Sequence, residues 1–71
     1  MSKDRAHAYL NLQIERISKS PTPAADRSFV SGAIDFAEFT SQISFQEAEC
    51  YREALAIKAG NRVVQLRRVA A

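Results

Sequence analysis

The sequence predicts an all-α protein, a small bundle of three helices. Two observations carry this prediction: apolar residues recur at three- and four-residue spacings along most of the chain, and Ser44-Phe45-Gln46-Glu47 has the pattern of a helix capping box. The predicted helices cover about residues 3–19, 23–42 and 45–59, followed by a basic segment, 61–71. Since 71 residues make one small domain, we expect residues 1–71 to fold as a single helical unit.

The first helix is amphipathic. Ala6, Leu10, Ile14 and Ile17 recur at positions i, i+4, i+8 and i+11, which places them on one helix face. Pro21 disfavours helical geometry in the residue before it, so this helix should end near residue 19.

The second helix is predicted to be the centre of the fold. Thr22 is a suitable N-cap and proline fits the first helical position after it. The apolar residues cover well over half of the helix circumference, more than one contact face requires: Phe29, Val30, Ala33, Ile34, Phe36, Ala37, Phe39, Thr40 and Ile43. Gly32 lies at the edge of this arc, where either a close neighbour or a merely tolerated glycine would fit.

The third helix begins at the capping box and is predicted to end at Gly60, read as a left-handed stop. Its main face carries Phe45, Ala48, Tyr51, Leu55 and Ala59. Cys50 lies on a second strip and is interpreted as a small buried hydrophobe. We expect one dry interior shared by all three helices, formed by Phe29, Phe36, Ile43 and Leu55 and covered by Leu10 and Ile14.

The segment 61–71 has no clean periodicity. Val63 and Val64 favour a strand, whereas the residues after them favour a helix. A strand would need a partner, most simply the same segment of a second subunit. We prefer a short helix or a loosely ordered basic tail, and keep dimerisation through this segment as the alternative.

Composition narrows the functional class. A net charge of +2 does not by itself indicate a nucleic-acid partner, although basic ends flank an acidic centre. One cysteine cannot form an internal disulfide, and neither a signal peptide nor a membrane span is recognisable, so we expect a cytoplasmic protein without a membrane partner.

The sequence contains no catalytic motif, metal-ligand spacing or phosphate loop, so we expect no enzyme, cofactor or metal. His7 and Cys50 are the only histidine and cysteine, and we interpret His7 as a core-boundary residue. A helix-turn-helix reader of DNA is rejected because its recognition helix would present Glu47, Glu49 and Glu53 to phosphates.

One stripe on the first helix is a candidate partner surface. It consists of Arg5, Tyr9, Leu12 and Arg16, on the side away from Leu10 and Ile14. Tyrosine and leucine between arginines are typical of protein interfaces, although a solvated core edge or stacking on nucleic acid also fits.

The expected function is therefore a small non-enzymatic interaction or regulatory protein that docks on a protein partner, with homodimerisation open. The alternative is a nucleic-acid-binding accessory protein that uses the basic first helix and Arg62, Arg67 and Arg68.

Overall fold

A computed structural model describes residues 3–70 of the chain. These residues form α1 (Lys3–Ile17), α2 (Pro23–Phe39) and α3 (Phe45–Ala70), and each helix packs against both others. Short connections make consecutive helices neighbours, which gives a small three-helix bundle. The predicted fold class is confirmed.

The interior is built from aliphatic side chains and alanines. Leu10, Ile17, Val30 and Ile34 are the largest fully buried side chains. They share one cluster with other buried residues from all three helices and the α2–α3 turn: Ile14, Ala37, Ile43, Ala48, Leu55 and Ala59. The expected positions of Leu10, Ile14, Ile43 and Leu55 in one core are confirmed.

The predicted burial of the phenylalanines is wrong. Phe29 is 62% exposed and Phe36 68%, and Phe39 and Phe45 are exposed at 86% and 66%. The side of α2 that faces the core carries Val30, Ile34 and Ala37 instead, about a third of a turn away from Phe29 and Phe36, since each residue rotates the helix by about 100°. The interior is built from aliphatic side chains and alanines, and it takes up only one side of the broad apolar arc of α2.

The end of α2 is a Schellman motif formed without glycine. Ser41 has a φ of 60°, its N–H donates to the Glu38 carbonyl (3.0 Å), and the Gln42 N–H donates to the Ala37 carbonyl (2.8 Å). This pattern satisfies carbonyls that the helix end would otherwise leave without partners. The helix therefore ends at Phe39 rather than at the predicted residue 42.

The capping box that begins α3 is confirmed. The Glu47 N–H donates to the Ser44 hydroxyl (3.1 Å), and the Ser44 N–H donates to the Glu47 carboxylate (2.7 Å). Both bonds satisfy donors at the first turn of the helix, and they set where α3 starts.

The turn between α1 and α2 depends on the buried Ser20. Its hydroxyl accepts the Thr22 N–H (2.9 Å) and donates to the Asp26 carboxylate, and its carbonyl accepts from Arg62 Nε (2.7 Å). Within residues 3–70, the Thr22 side chain makes no capping bond to α2, so Ser20 orders this turn where threonine was predicted to do so. α1 ends at Ile17, two residues before the predicted boundary.

The predicted stop at Gly60 is wrong, because α3 continues through it to Ala70. Apart from the neighbouring backbone of α3 itself, no atom of residues 3–70 lies within 4 Å of the position a Cβ would take at Gly60, and the φ of Gly60 is not positive. A helix tolerates an interior glycine at a cost of about 1 kcal/mol relative to alanine. The bond from Arg62 to the Ser20 carbonyl attaches the extension to the α1–α2 turn. Residues 61–70 are thus helical, as a continuation of α3.

Among the helices formed by residues 3–70, no segment combines the length and apolar character needed to span a bilayer.

Candidate functional site on the exposed face of α1 and α2

Three phenylalanines mark an exposed apolar strip on α2. Phe29, Phe36 and Phe39 follow at spacings of seven and three residues, which places them on one side of the helix, with Gly32 between the first two. We call these four residues the α2 strip. It lies outside the core, since the buried side of the helix is formed by Val30, Ile34 and Ala37.

The partner surface predicted from the sequence lies next to this strip. Arg5, Tyr9, Leu12 and Arg16 are all exposed on α1, and we call them the α1 strip. Tyr9 lines the same groove as Phe29 and Phe36, and Arg16 lines an adjoining depression together with Phe29. The structure therefore joins the two strips into one surface, here called the aromatic face.

The groove between the two strips has a volume of about 720 Å³ and a mainly apolar lining. Both helices contribute to it: Ala6, Tyr9 and Leu10 from α1, and Phe29, Gly32, Ala33, Phe36, Ala37, Thr40 and Gln42 from α2 and the turn after it. Protein-binding and ligand-binding sites share this character of a concave apolar surface with few polar groups. The groove is open, and its rim is formed by aromatic rings.

Sequence reasoning found the α1 strip and missed the α2 strip, because it assigned the phenylalanines to the core. The signal was present in the width of the apolar arc on α2, which exceeded one contact face. An arc of that width indicates two contact surfaces, and the structure covers only one of them within this chain. The second surface is the α2 strip.

An arginine holds the other side of α2 against α3. Arg52 donates to Asp35 (2.8 Å) and Glu38 (2.7 Å) of α2, and to Glu49 (2.7 Å) of its own helix. Its hydrogen bonds to Asp35, then to Glu38 and Glu49, raise the pKa of Arg52 above its usual value. These pairs connect Asp35 and Glu38 to α3, on a side of α2 different from the one that carries the phenylalanines.

A second polar cluster joins α1 to the start of α3. His7 Nδ1 shares a hydrogen bond with the Tyr51 hydroxyl, and His7 Nε2 lies 3.1 Å from Glu47 Oε2. His7 is half-buried, as expected of a core-boundary residue.

Cys50 lines the same shallow depression but is exposed, which corrects its predicted burial. On α3 the core side is formed by Ala48 and Leu55, and Cys50 lies on a different side of the helix, which faces solvent. Both ring nitrogens of His7 are engaged by groups other than the thiol.

Glu47 connects this cluster to the capping box. The backbone hydrogen bond from Ser44 is the main cause that lowers the pKa of Glu47, with smaller contributions from the Ser44 side chain and from His7. Burial raises the pKa of the Tyr51 phenol, and the negative charge of Glu47 raises it further. The negative form of Glu47 is thus the one that the folded state stabilises.

We expect the protein to become less stable as the pH is lowered, because Glu47 then loses its negative charge. A carboxylate whose pKa is lowered by folding stabilises the native state above its unfolded pKa, near 4.5, and this stabilisation is lost as the pH falls through the folded value. Glu47→Gln should therefore melt at a lower temperature than the wild type at pH 7, and the difference should shrink as the pH falls below 4.5 through the lowered pKa of Glu47 in the folded state. Thermal melts followed by circular dichroism measure both curves.

Glu53→Gln is the matched control, since Glu53 is exposed on the same helix and no ion pair is seen for it within residues 3–70. A Glu47→Gln difference that stays constant from pH 7 to pH 3 would contradict the expected role of the Glu47 charge.

The three arginines proposed for nucleic-acid contact do not act alike in the structure. Arg62 is half-buried and bonded to the Ser20 carbonyl and to Gln65. Arg67 and Arg68 are exposed in the last turn of α3, where positive charge interacts favourably with the helix dipole. The structure therefore separates Arg62 from the other two arginines.

Within residues 3–70, no three histidine, cysteine, aspartate or glutamate side chains gather as metal ligands would. No protein-family model, curated protein or solved structure matches the chain.

Proposed function

We propose that this protein is a small non-enzymatic interaction protein of the cytoplasm that binds a protein through the aromatic face. The exposure of Phe29, Phe36 and Phe39 on one side of α2 is the observation that supports this proposal. The α1 strip beside them adds Tyr9 and Leu12, and the whole face is supported from behind by a packed core.

The size of this face distinguishes it from ordinary surface apolar residues. Single exposed apolar side chains are common on protein surfaces and do not indicate a binding site. A fully exposed phenylalanine presents about 200 Å², so the three phenylalanines together with Tyr9 and Leu12 expose on the order of 600 Å² of side chain, at the upper end of the largest patches on monomeric proteins. Patches of this size are characteristic of interaction surfaces.

The composition of the face also supports a protein partner. Aromatic residues and arginine are enriched at protein interfaces, and tyrosine and arginine are frequent among the residues that dominate binding energy. The face combines phenylalanine and tyrosine rings with Arg5 and Arg16 and contains no acidic residue. A partner that covers the rings would also meet positive charge on the α1 side.

The proposal is tested by immobilising the chain and measuring the amount of each protein that it captures. Phe29→Gln/Phe36→Gln should reduce the amount of each captured protein, including a second copy of the chain, by about tenfold or more, because central aromatic residues dominate interface energies. Both phenylalanines are exposed, so the variant should keep its helix content and its melting temperature at concentrations where the chain is monomeric.

Ile57→Gln/Val64→Gln is the matched control, because these two exposed apolar residues of α3 have the same seven-residue spacing. Tyr9→Ser/Leu12→Ser then tests the contribution of the α1 strip. Equal capture by the phenylalanine variant and the wild type would overturn the proposal.

The nucleic-acid alternative has weaker support. Arg62 is engaged in holding α3 to the α1–α2 turn, which leaves two exposed arginines at the end of α3. Nucleic-acid affinity that depends on phosphate contacts increases with the number of phosphates neutralised, so this alternative needs Arg5 and Arg16 of α1 in addition to Arg67 and Arg68.

A further inference from the structure

We infer that the occupant of the aromatic face is a second copy of this chain, related by a two-fold axis that runs parallel to the helices between the two copies. In this dimer the α1 strip of each copy covers the α2 strip of the other, and facing helices are antiparallel. The inference rests on the proposed function and names its partner.

The area available fits a dimer. Two copies that cover each other's strips would bury on the order of 1,200 Å² of phenylalanine, tyrosine and leucine side chain, given about 200 Å² for an aromatic ring, which reaches the lower end of specific interfaces. A 71-residue chain also has a marginal core, and this one places none of its four phenylalanines inside it. Dimerisation would bury three of those four.

The distribution of charge favours the arrangement in which α1 of one copy packs on α2 of the other. The α1 strip carries Arg5 and Arg16, whereas the α2 strip is uncharged and aromatic. A two-fold axis perpendicular to the helices would set α1 against α1 and bring the arginines of both copies together, which is unfavourable. The parallel axis sets arginine against phenylalanine rings, a favourable cation–π arrangement that occurs on both sides of the axis.

Gly32 provides room at the centre of this contact. A short connection makes α1 and α2 antiparallel neighbours, and Tyr9 lies eight residues before the end of α1 while Gly32 lies nine residues after the start of α2, so the two residues are at about the same level in the groove that both line. A two-fold axis parallel to the helices preserves that level, which places Tyr9 of one copy on Gly32 of the other, between Phe29 and Phe36. Apart from the neighbouring backbone of α2 itself, no atom of residues 3–70 lies within 4 Å of the position a Cβ would take at Gly32, and Gly32 is exposed, so this space is open from the solvent side.

Sedimentation of the full chain tests the inference. The wild type should shift with rising concentration from the 7.9 kDa chain mass to twice that mass. Gly32→Arg should remain monomeric under the same conditions, with a dissociation constant raised by about a hundredfold or more, as expected for a bulky charge at an interface centre. Since arginine favours helix over glycine, the variant should melt no lower than the wild type at concentrations where both are monomeric.

Cysteine cross-linking tests the geometry. Tyr9→Cys and Gly32→Cys chains, each also carrying Cys50→Ser, should form a mixed disulfide when combined. A disulfide formed preferentially by the Gly32→Cys chain with itself would overturn the α1-on-α2 arrangement.

The outcomes separate this inference from the proposed function. A wild type that stays monomeric at high concentration overturns the inference, and the proposed function then survives only if Phe29→Gln/Phe36→Gln loses captured proteins. A dimer that is unaffected by Gly32→Arg and by the phenylalanine variant also overturns the inference. Absence of both self-association and face-dependent capture overturns both.

Discussion

Replacing Ile34 by alanine is expected to destabilise the protein by about 2–5 kcal/mol, the range for truncating a buried isoleucine. Ile34 is 0% exposed and belongs to the common core of the three helices. In a chain this small such a loss is a large part of the total stability, so much of the protein should be unfolded at room temperature. Urea titration followed by far-UV circular dichroism measures the change.

Phe36→Ala is the control for this experiment, two positions away on the same helix. Its side chain is exposed, so its replacement should cost less than about 1 kcal/mol at concentrations where the chain is monomeric. The sequence pattern places Phe36 in the shared interior and so predicts a large loss of stability for Phe36→Ala as well. Equal or greater destabilisation by Phe36→Ala would show that α2 is rotated differently from the structure described here.

Gly60→Pro is expected to lower the free energy of unfolding by about 3 kcal/mol or more, because proline removes a helix hydrogen bond and its ring clashes with the carbonyl four residues earlier. Helicity should fall as well, since residues 61–70 would be disconnected from the rest of α3. Urea titration gives the stability, and the amplitude of the far-UV signal at low urea gives the helix content.

Gly60→Ala has the opposite expected sign and is the control. Gly60 has helical geometry and open space around its Cβ position, so alanine should stabilise the protein by about 1 kcal/mol. If Gly60 were the left-handed stop that the sequence suggested, alanine would be destabilising there. The sign of this one substitution therefore distinguishes a continuous α3 from two separate segments.

The wrong prediction at Gly60 has an identifiable cause. Glycine near a helix end is the usual residue for a left-handed cap, yet in this chain Ser41 adopts that conformation and Gly60 does not. The Schellman bonds of Ser41 and Gln42 satisfy the end of α2 without a glycine. The Arg62–Ser20 bond, made across 42 positions of the sequence, favours continuation of α3 in a way that no local pattern reveals.

Of the candidate site, the sequence predicts the α1 strip but not the α2 strip. The α1 strip stood out because α1 has one clean apolar face, so Tyr9 and Leu12 were visibly outside it. On α2 the apolar arc is too broad to divide into an inner and an outer part by periodicity. Only contact with the neighbouring helices makes that division.

The sequence by itself determined the number of helices, the start of α3 directly after the cap residue Ser44 and the aliphatic face of α1, because spacing and capping act over one or two helical turns. The tertiary structure decided which side of α2 is buried. Ala48 and Ala59 of α3 share one core with Val30 and Ile34, and Arg52 pairs with Asp35 and Glu38 on another side of α2. The phenylalanines remain outside because the other helices cover the Val30 and Ile34 side of α2 and leave the other side of its broad apolar arc exposed.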